Sequence, residues 1–156
     1  MQGSDTHFMQ LAIEQAHLSP PVGTAYCVGA VAVDHEGRVI ATGFSREHPG
    51  NTHAEEVVLR KLGVFVGTGD GRLGGMGITV YTTMEPCGQR LSARLPCAER
   101  LSKANVSRVV VGAREPSLFI KDCIGTDHLR AHGITVDYLV GLEEAALAPN
   151  AHLFAK

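Results

Sequence analysis

Three β-type runs separated by helical stretches fill the second half of the chain and restrict the folds open to it. The runs are ITVYTT, VSRVVVGA and ITVDYLV, which begin at residues 78, 106 and 134. Each is short and rich in valine, isoleucine or threonine, as strands usually are, and the segments between them read as helices. Strands that alternate with helices form a mostly parallel sheet covered on both faces. The pattern therefore predicts an α/β fold.

The first half of the chain adds two helices and a hairpin. HFMQLAIEQAHL predicts a helix over about 6–18, which the prolines at 20 and 21 end. AYCVGAVAVD and VIATGFS flank a short glycine-containing turn and are expected to pair as a hairpin. HAEEVVLRKL predicts another helix over 53–62. We expect a single domain over 1–156, a three-layer α/β/α sandwich with a mixed, mostly parallel sheet of about five strands.

The charge balance bears on the class of partner. The chain has 14 lysines and arginines against 16 aspartates and glutamates, for a net charge of −2. Proteins that grip a long nucleic acid usually show a basic excess, so a small substrate is favoured and no nucleic acid is expected. No apolar run reaches the roughly 18 residues that span a bilayer, and the start does not read as a signal peptide. We expect a cytoplasmic protein without a membrane partner.

Two short segments at predicted strand–helix junctions contain residues that can bind a metal. The first holds His53 and Glu55; the second, Glu-Pro-Cys, ends at Cys87 and is followed by Cys97 after the nine residues 88–96. One imidazole and two thiolates leave a fourth zinc position open for water, as in catalytic zinc sites. Glu55 can then shuttle protons for that water. His-x-Glu followed by Pro-Cys is the zinc-deaminase signature, although here the residues between the cysteines must loop out and return.

Two other interpretations of these residues stay open at this level. Thr52 and Glu55 have the spacing of a capping box, in which the threonine caps the helix and the glutamate bonds back to its amide. A structural zinc site needs a fourth protein ligand, which Cys123 or His128 would have to supply. The first interpretation gives Glu55 a structural role, and the second fills the metal position that a catalytic water would need.

The chain resembles the cytidine-deaminase-like superfamily and, within it, the fungal-type riboflavin-biosynthesis deaminases, whose two cysteines are also separated by an extended loop. The resemblance runs from Met9 to about Leu142, and Asp122 and Cys123 depart from it. The segments that carry it are 42–47, 49–55, 81–87, 90–97, 111–116 and 119–121.

The resemblance implies a cytidine-deaminase-like fold, a zinc cofactor and a homodimer. It also implies a reaction of riboflavin biosynthesis, the hydrolytic deamination of 2,5-diamino-6-ribitylamino-4(3H)-pyrimidinone 5′-phosphate to 5-amino-6-ribitylaminouracil 5′-phosphate and ammonia. Zinc-activated water attacks the ring, and Glu55 moves the protons. The expected partner is therefore a small phosphorylated pyrimidine.

Such a substrate needs cationic groups for its phosphate and polar groups for its ring and ribityl chain. Arg46, Arg90 and Lys121 are the candidates for the phosphate: Arg46 lies in the loop before His53, Arg90 lies between the two cysteines, and Lys121 follows the loop after the next strand. The candidates for hydrogen bonds to the pyrimidine or the ribityl chain are Ser45, Asn51 and Glu115.

Three other functions share the same residues. A tRNA adenosine deaminase has the same zinc site, but the charge balance and the 5% aromatic content are unfavourable for it. A deaminase of free nucleosides such as cytidine would have no use for phosphate-binding cations. A non-catalytic zinc-binding scaffold would have no use for Glu55 or an open metal position.

Overall fold

The computed structural model describes residues 2–50, 52–63, 76–86, 96–114 and 125–154, with side chains from Asp5 onward. Five strands and six helices alternate in these ranges much as the sequence predicts. The strands are β1 (Gly29–Val33), β2 (Val39–Phe44), β3 (Thr79–Met84), β4 (Arg108–Ala113) and β5 (Thr135–Tyr138). The helices are α1 (Gln2–Leu18), α2 (Ala54–Lys61), α3 (Cys97–Ala104), α4 (Gly125–Ala131), α5 (Glu143–Leu147) and α6 (Ala151–Phe154).

The described strands form one sheet in the order β2-β1-β3-β4-β5. Strand β1 is antiparallel to β2 and β3, whereas β3, β4 and β5 are parallel to one another. Four of these five strands therefore run in one direction, and the predicted mixed, mostly parallel sheet is confirmed. Because β2 and β3 share that direction, the chain leaves both strands at the same edge of the sheet.

Two apolar clusters cover the two faces of the sheet and complete the predicted three layers. Ala30 and Ala32 face a cluster that includes residues of α2, α3 and α4. Val31 and Val33 face the opposite cluster, with residues of α1 and α5. This alternation along β1 follows from the two-residue period of a strand. Helices α2 and α3 thus lie on the same face, which brings their first turns together.

Helix α2 packs very close to β2 at Gly43. A Cβ atom there would lie 2.9 Å from the carbonyl oxygen of Ala54 and 3.0 Å from Cγ1 of Val57. Distances this short between a Cβ and backbone are essentially never seen, so any larger residue would push the start of α2 outward. Gly43 therefore helps to fix where α2 begins.

The pattern GLEEAALAPNAHLFAK predicts one last helix over residues 141–156, but in the structure this segment is not one continuous helix. It is divided into α5, a 3₁₀ turn (Ala148–Asn150) and α6, because Pro149 cannot donate the hydrogen bond that a continuous helix needs. The turn buries Asn150 completely. The Asn150 side-chain amide donates to the carbonyl oxygen of Cys27 at 3.0 Å and accepts from the Cys27 amide at 2.5 Å. These two hydrogen bonds hold the 3₁₀ turn against the segment that leads into β1.

Among the residues that the structure describes, no helix has the length and apolar character required to cross a membrane.

Candidate metal centre

His53 lies at the start of α2, as the last extended residue before the helix. Its backbone angles are φ −93° and ψ 155°, and the first helical residue is Ala54. The loop that leads to it is closed by a hydrogen bond from the Arg46 amide to the Thr52 carbonyl oxygen, 2.7 Å long. Arg46 itself has φ +64°, a left-handed turn that reverses the chain after β2. The turn and this hydrogen bond thus place His53 near the carboxyl end of β2.

Cys97 lies one position further into α3, where it is the first helical residue and fully buried. Pro96 precedes it as the N-cap residue, and proline's fixed φ suits the start of a helix. Nδ1 of His53 lies 3.2 Å from Sγ of Cys97. The structure therefore brings together two of the three predicted zinc ligands, which are 44 residues apart in the sequence.

The geometry of this pair suits zinc. A tetrahedral zinc ion with bonds of about 2.1 Å to nitrogen and 2.3 Å to sulfur holds these atoms about 3.6 Å apart, so the pair would separate by only about 0.4 Å from its 3.2 Å contact to bind the metal. Cys97 is at a helix N-terminus, where the helix dipole favours the thiolate form that binds metal. Cys87, the third predicted ligand, lies outside the described residues. Within the described ranges, no group of three His, Cys, Asp or Glu side chains forms a metal site.

The helix cap involves Glu56 rather than Glu55. The carboxylate of Glu56 accepts a hydrogen bond from the His53 amide at 3.3 Å, which closes a capping box one residue later than the sequence suggested. The Thr52 hydroxyl instead donates to the carbonyl oxygen of His48 at 3.0 Å. The interpretation of Thr52 and Glu55 as a capping box is therefore wrong. Glu55 lies in the first turn of α2 and is 4% exposed.

Residues 2–113 match the family model described as the cytidine and deoxycytidylate deaminase zinc-binding region. The chain belongs to this family. The match covers both the His53 segment and the start of α3, so the resemblance to the cytidine-deaminase-like superfamily is confirmed. The family is a zinc-binding one, in agreement with the zinc cofactor expected from the ligand set.

A curated relative from Schizosaccharomyces pombe, a diaminohydroxyphosphoribosylamino-pyrimidine deaminase, is 42% identical over 129 residues. The match covers 83% of this chain and 30% of that relative, so the chain spans less than a third of the relative's length. This similarity confirms the resemblance to the fungal-type riboflavin-biosynthesis deaminases.

Solved structures confirm the cytidine-deaminase-like fold. The Aspergillus oryzae Rib2 deaminase in complex with DARIPP has a TM-score of 0.78 and 28% identity, over 94% of this chain and 89% of that one. A structure from studies of A-to-I editing by tRNA:A34 deaminases has a TM-score of 0.62 and 29% identity, over 92% of this chain and 99% of that one.

Two of the six predicted substrate contacts lie in the described part of the deaminase fold. Ser45 is buried, and its hydroxyl accepts from the Val28 amide at 2.9 Å. The Arg46 guanidinium donates to the carbonyl oxygens of Tyr26 and Pro20, at 3.2 and 2.9 Å, and to the Ser19 hydroxyl. Both residues therefore join the loop before His53 to the segment before β1. Contact with substrate stays a prediction, and for Arg46 it would require the guanidinium to leave these partners.

The other four predicted substrate contacts lie outside the described residues. They are Asn51, Arg90, Glu115 and Lys121. Of the two alternative fourth ligands, Cys123 also lies outside, while Nε2 of His128 lies 3.2 Å from the Ser102 hydroxyl on α3.

Glu85, two residues before Cys87, has partners that sequence reasoning missed. Its carboxylate accepts hydrogen bonds from the hydroxyls of Tyr138 at 2.5 Å and Thr126 at 3.3 Å. Burial raises the pKa of the Tyr138 hydroxyl, and the hydrogen bond to Glu85 raises it further, so the tyrosine stays protonated as a donor. The partners come from β5 and α4, more than 40 residues away. No local sequence signal identifies them.

Proposed function

We propose that this protein is a hydrolytic deaminase of riboflavin biosynthesis. It converts 2,5-diamino-6-ribitylamino-4(3H)-pyrimidinone 5′-phosphate to 5-amino-6-ribitylaminouracil 5′-phosphate and ammonia. The observation that carries the proposal is the contact of His53 Nδ1 with Cys97 Sγ at two helix N-termini, with the buried Glu55 in the first turn of α2. The similarity to the S. pombe deaminase and to Rib2 bound to DARIPP supports this choice of substrate.

The metal ligands in this proposal are His53, Cys87 and Cys97. When bound, zinc supplies a Lewis acid that lowers the pKa of water enough to make it a nucleophile near neutral pH. The three ligands leave room for that water, because a catalytic zinc site keeps one position open. Cys97 is fully buried and His53 is partly buried, which limits the access of other solvent to this pair.

Glu55 is the proton carrier in this proposal. Its carboxylate would take one proton from the attacking water and pass it to the ring nitrogen, then take the second proton from the hydroxyl added to the ring carbon and pass it to the departing amine. Its place in the first turn of α2 favours a negative charge, since the helix dipole is positive there. Because Glu56 closes the capping box, the role of Glu55 does not compete with helix capping.

Arg90 and Lys121 are proposed to bind the substrate phosphate, with Arg46 as a third cation. Ser45, Asn51 and Glu115 are proposed to bind the pyrimidine ring or the ribityl chain. The internal hydrogen bonds of Arg46 and Ser45 also support a structural role for these two residues, which hold the segment before β1 against the loop before His53.

The remaining proposals concern assembly and location. We expect one deaminase domain, a homodimer in solution, and a cytoplasmic enzyme whose partner is a small phosphorylated pyrimidine. The family resemblance supports the homodimer. Light scattering on the purified zinc-loaded protein tests it, since a monomeric mass would contradict it.

The test of function is ammonia release by zinc-loaded protein from three substrates side by side. These are the diamino-ribitylamino-pyrimidinone phosphate, cytidine and unmodified tRNA. Release from the first alone is the expected result. Ammonia release from tRNA or cytidine instead would agree with the zinc chemistry but contradict the proposed substrate. No ammonia release from any of the three substrates, with zinc bound, would favour a non-catalytic scaffold.

A further inference from the structure

A buried carboxylate lies between the two helices that carry His53 and Cys97. Glu56 of α2 is 1% exposed. One of its oxygens, Oε1, accepts the hydrogen bond from the His53 amide. The other oxygen, Oε2, lies 2.9 Å from Nη2 of Arg60 and 3.7 Å from Nη2 of Arg100. A single carboxylate thus contacts a proposed metal ligand and two cations.

The two arginines differ in what they connect. Arg60 is on the same helix as Glu56, four residues later, and its side chain is 38% exposed. Arg100 is on α3, three residues after Cys97, and its side chain is 5% exposed. Residues three apart on a helix lie on the same side, so Arg100 is one turn from Cys97. The Glu56–Arg100 pair therefore joins the first turns of α2 and α3.

The burial of the Glu56–Arg100 ion pair has an energetic cost that needs an explanation. Removing two charges from water costs several kcal/mol per ion in effective terms, and a well-packed apolar pair is often as stable. The neighbouring interface is apolar, with Val58 and Leu59 of α2 in the same cluster as Ala98 and Leu101 of α3. A charged pair buried beside such an interface fixes direction and separation, which apolar contacts leave freer.

We infer that Glu56 and Arg100 are positioning residues for the metal centre. Glu56 holds the His53 backbone through Oε1, and Arg100 ties the same carboxylate to the helix that begins with Cys97. Together they set the distance between Nδ1 of His53 and Sγ of Cys97. The inference rests on the proposed function, because it takes these two residues as zinc ligands.

Zinc affinity is the property that this arrangement controls. Ligand distances in a metal site must hold to within about 0.2 Å, so a small shift of one helix weakens binding. Loss of an outer-shell partner typically lowers metal affinity by about 10- to 100-fold. A pair that merely stabilised the fold would change unfolding without changing the affinity of the folded protein for zinc.

The test compares Arg100→Met with Arg60→Met, which is a matched control because both remove a cation from the same Glu56 oxygen. Zinc affinity of the full chain is measured by competition with a chelating indicator. We expect Arg100→Met to weaken zinc binding about 10- to 100-fold, and Arg60→Met to weaken it less than about threefold. Equal effects of the two variants would overturn the inference.

The cobalt(II)-substituted protein gives a second readout. We expect Arg100→Met to shift the visible ligand-field bands, because the thiolate and imidazole no longer meet the metal at the same angle. Arg60→Met should leave the spectrum as in wild type. Unshifted bands in Arg100→Met would contradict the inference.

Two controls keep the experiment decisive. If Arg100→Met does not fold, by circular dichroism of the apo protein, Arg100→Gln is compared with Arg60→Gln by the same criteria. Zinc binding by wild type and its loss in Cys97→Ser test the ligands themselves. Absence of zinc in wild type would overturn the proposed function as well, whereas zinc in wild type with equal arginine variants would overturn the positioning role alone.

Discussion

Acidic side chains are held by arginines on both faces of the sheet, and the two arrangements differ in geometry. On one face, Asp5 of α1 receives two hydrogen bonds from Arg108 of β4, at 3.0 and 2.9 Å, and one from the Tyr81 hydroxyl at 2.6 Å. On the other face, Glu56 has a close contact to Arg60 and a longer one to Arg100. The Asp5 group has the bidentate geometry that makes such pairs strong.

The difference teaches that the role of an ion pair follows from what its partners are attached to. The Asp5 group joins α1 to β3 and β4, and Arg108 also donates to Asp137 of β5 at 2.8 Å. None of these elements carries a proposed metal ligand at the contact. The Glu56 group joins the two helix starts that do. We therefore expect the first group to stabilise the fold and the second to determine metal affinity.

The largest expected effect is at Glu55, next to Glu56. Glu55→Gln should fold and bind zinc as wild type does, yet lose turnover by about 10²- to 10⁴-fold, because proton transfer contributes that much. Deamination rate and zinc content are the measurements. Glu56→Gln is the control, because we expect it to lower the affinity for zinc, whereas Glu55→Gln should not. Substantial surviving turnover in a zinc-loaded Glu55→Gln protein would exclude the proton-carrier role.

The next effect sharpens the comparison on the opposite face. Asp5→Asn should lower the free energy of unfolding by about 1–2 kcal/mol, since it loses a charge-assisted, partly exposed pair. The affinity of the folded protein for zinc should stay as in wild type. Urea unfolding and chelator competition measure the two quantities. A clear loss of zinc affinity in Asp5→Asn would remove the distinction between the two groups.

The same pair predicts a pH dependence with a defined sign. The hydrogen bonds and positive charge of Arg108 lower the pKa of Asp5 below its usual 3.8. Because the folded pKa is lowered, the stabilisation is present above 3.8 and is lost as the pH falls through the lower folded value. In apo protein, the stability gap between wild type and Asp5→Asn should be constant near neutral pH and shrink at the acid end. A gap that widens on acidification would contradict this assignment.

The smallest effect is expected at Tyr138, which bonds to Glu85 near the predicted ligand Cys87. Tyr138→Phe removes one hydroxyl donor and should cost about 1 kcal/mol of stability or less, because Thr126 still donates to Glu85. Thermal unfolding of the zinc-loaded protein measures it. A loss as large as that of Asp5→Asn would show that Glu85 depends on Tyr138 more than its two partners suggest.

Much of the fold followed from local sequence patterns. The β-type runs became β1 to β5 because alternating or continuous valines and isoleucines fit a pleated, buried surface. The helical pattern over 141–156 does not predict the break at Pro149, although proline is a strong local signal for the end of a helix. The sequence patterns thus identified the elements better than their internal continuity.

The start of α2 shows where local reasoning stops. Thr52 and His53 both precede a helical pattern, and both Glu55 and Glu56 suit a capping box. The choice depends on hydrogen bonds from Arg46 to Thr52 and from Thr52 to His48, which keep Thr52 in the loop. These contacts follow from the left-handed turn at Arg46. Sequence spacing alone could not distinguish the two registers.

The sequence by itself predicts the type of chemistry, because an imidazole, thiolates and a carboxylate at strand–helix junctions suit few tasks besides metal-assisted proton transfer. The tertiary structure alone decided which side chains serve that chemistry from a distance. Arg46 turned to the segment before β1, and Arg100 reached Glu56 across two helices. Such contacts depend on packing between residues far apart in the chain, and the sequence carries no periodic signal for them.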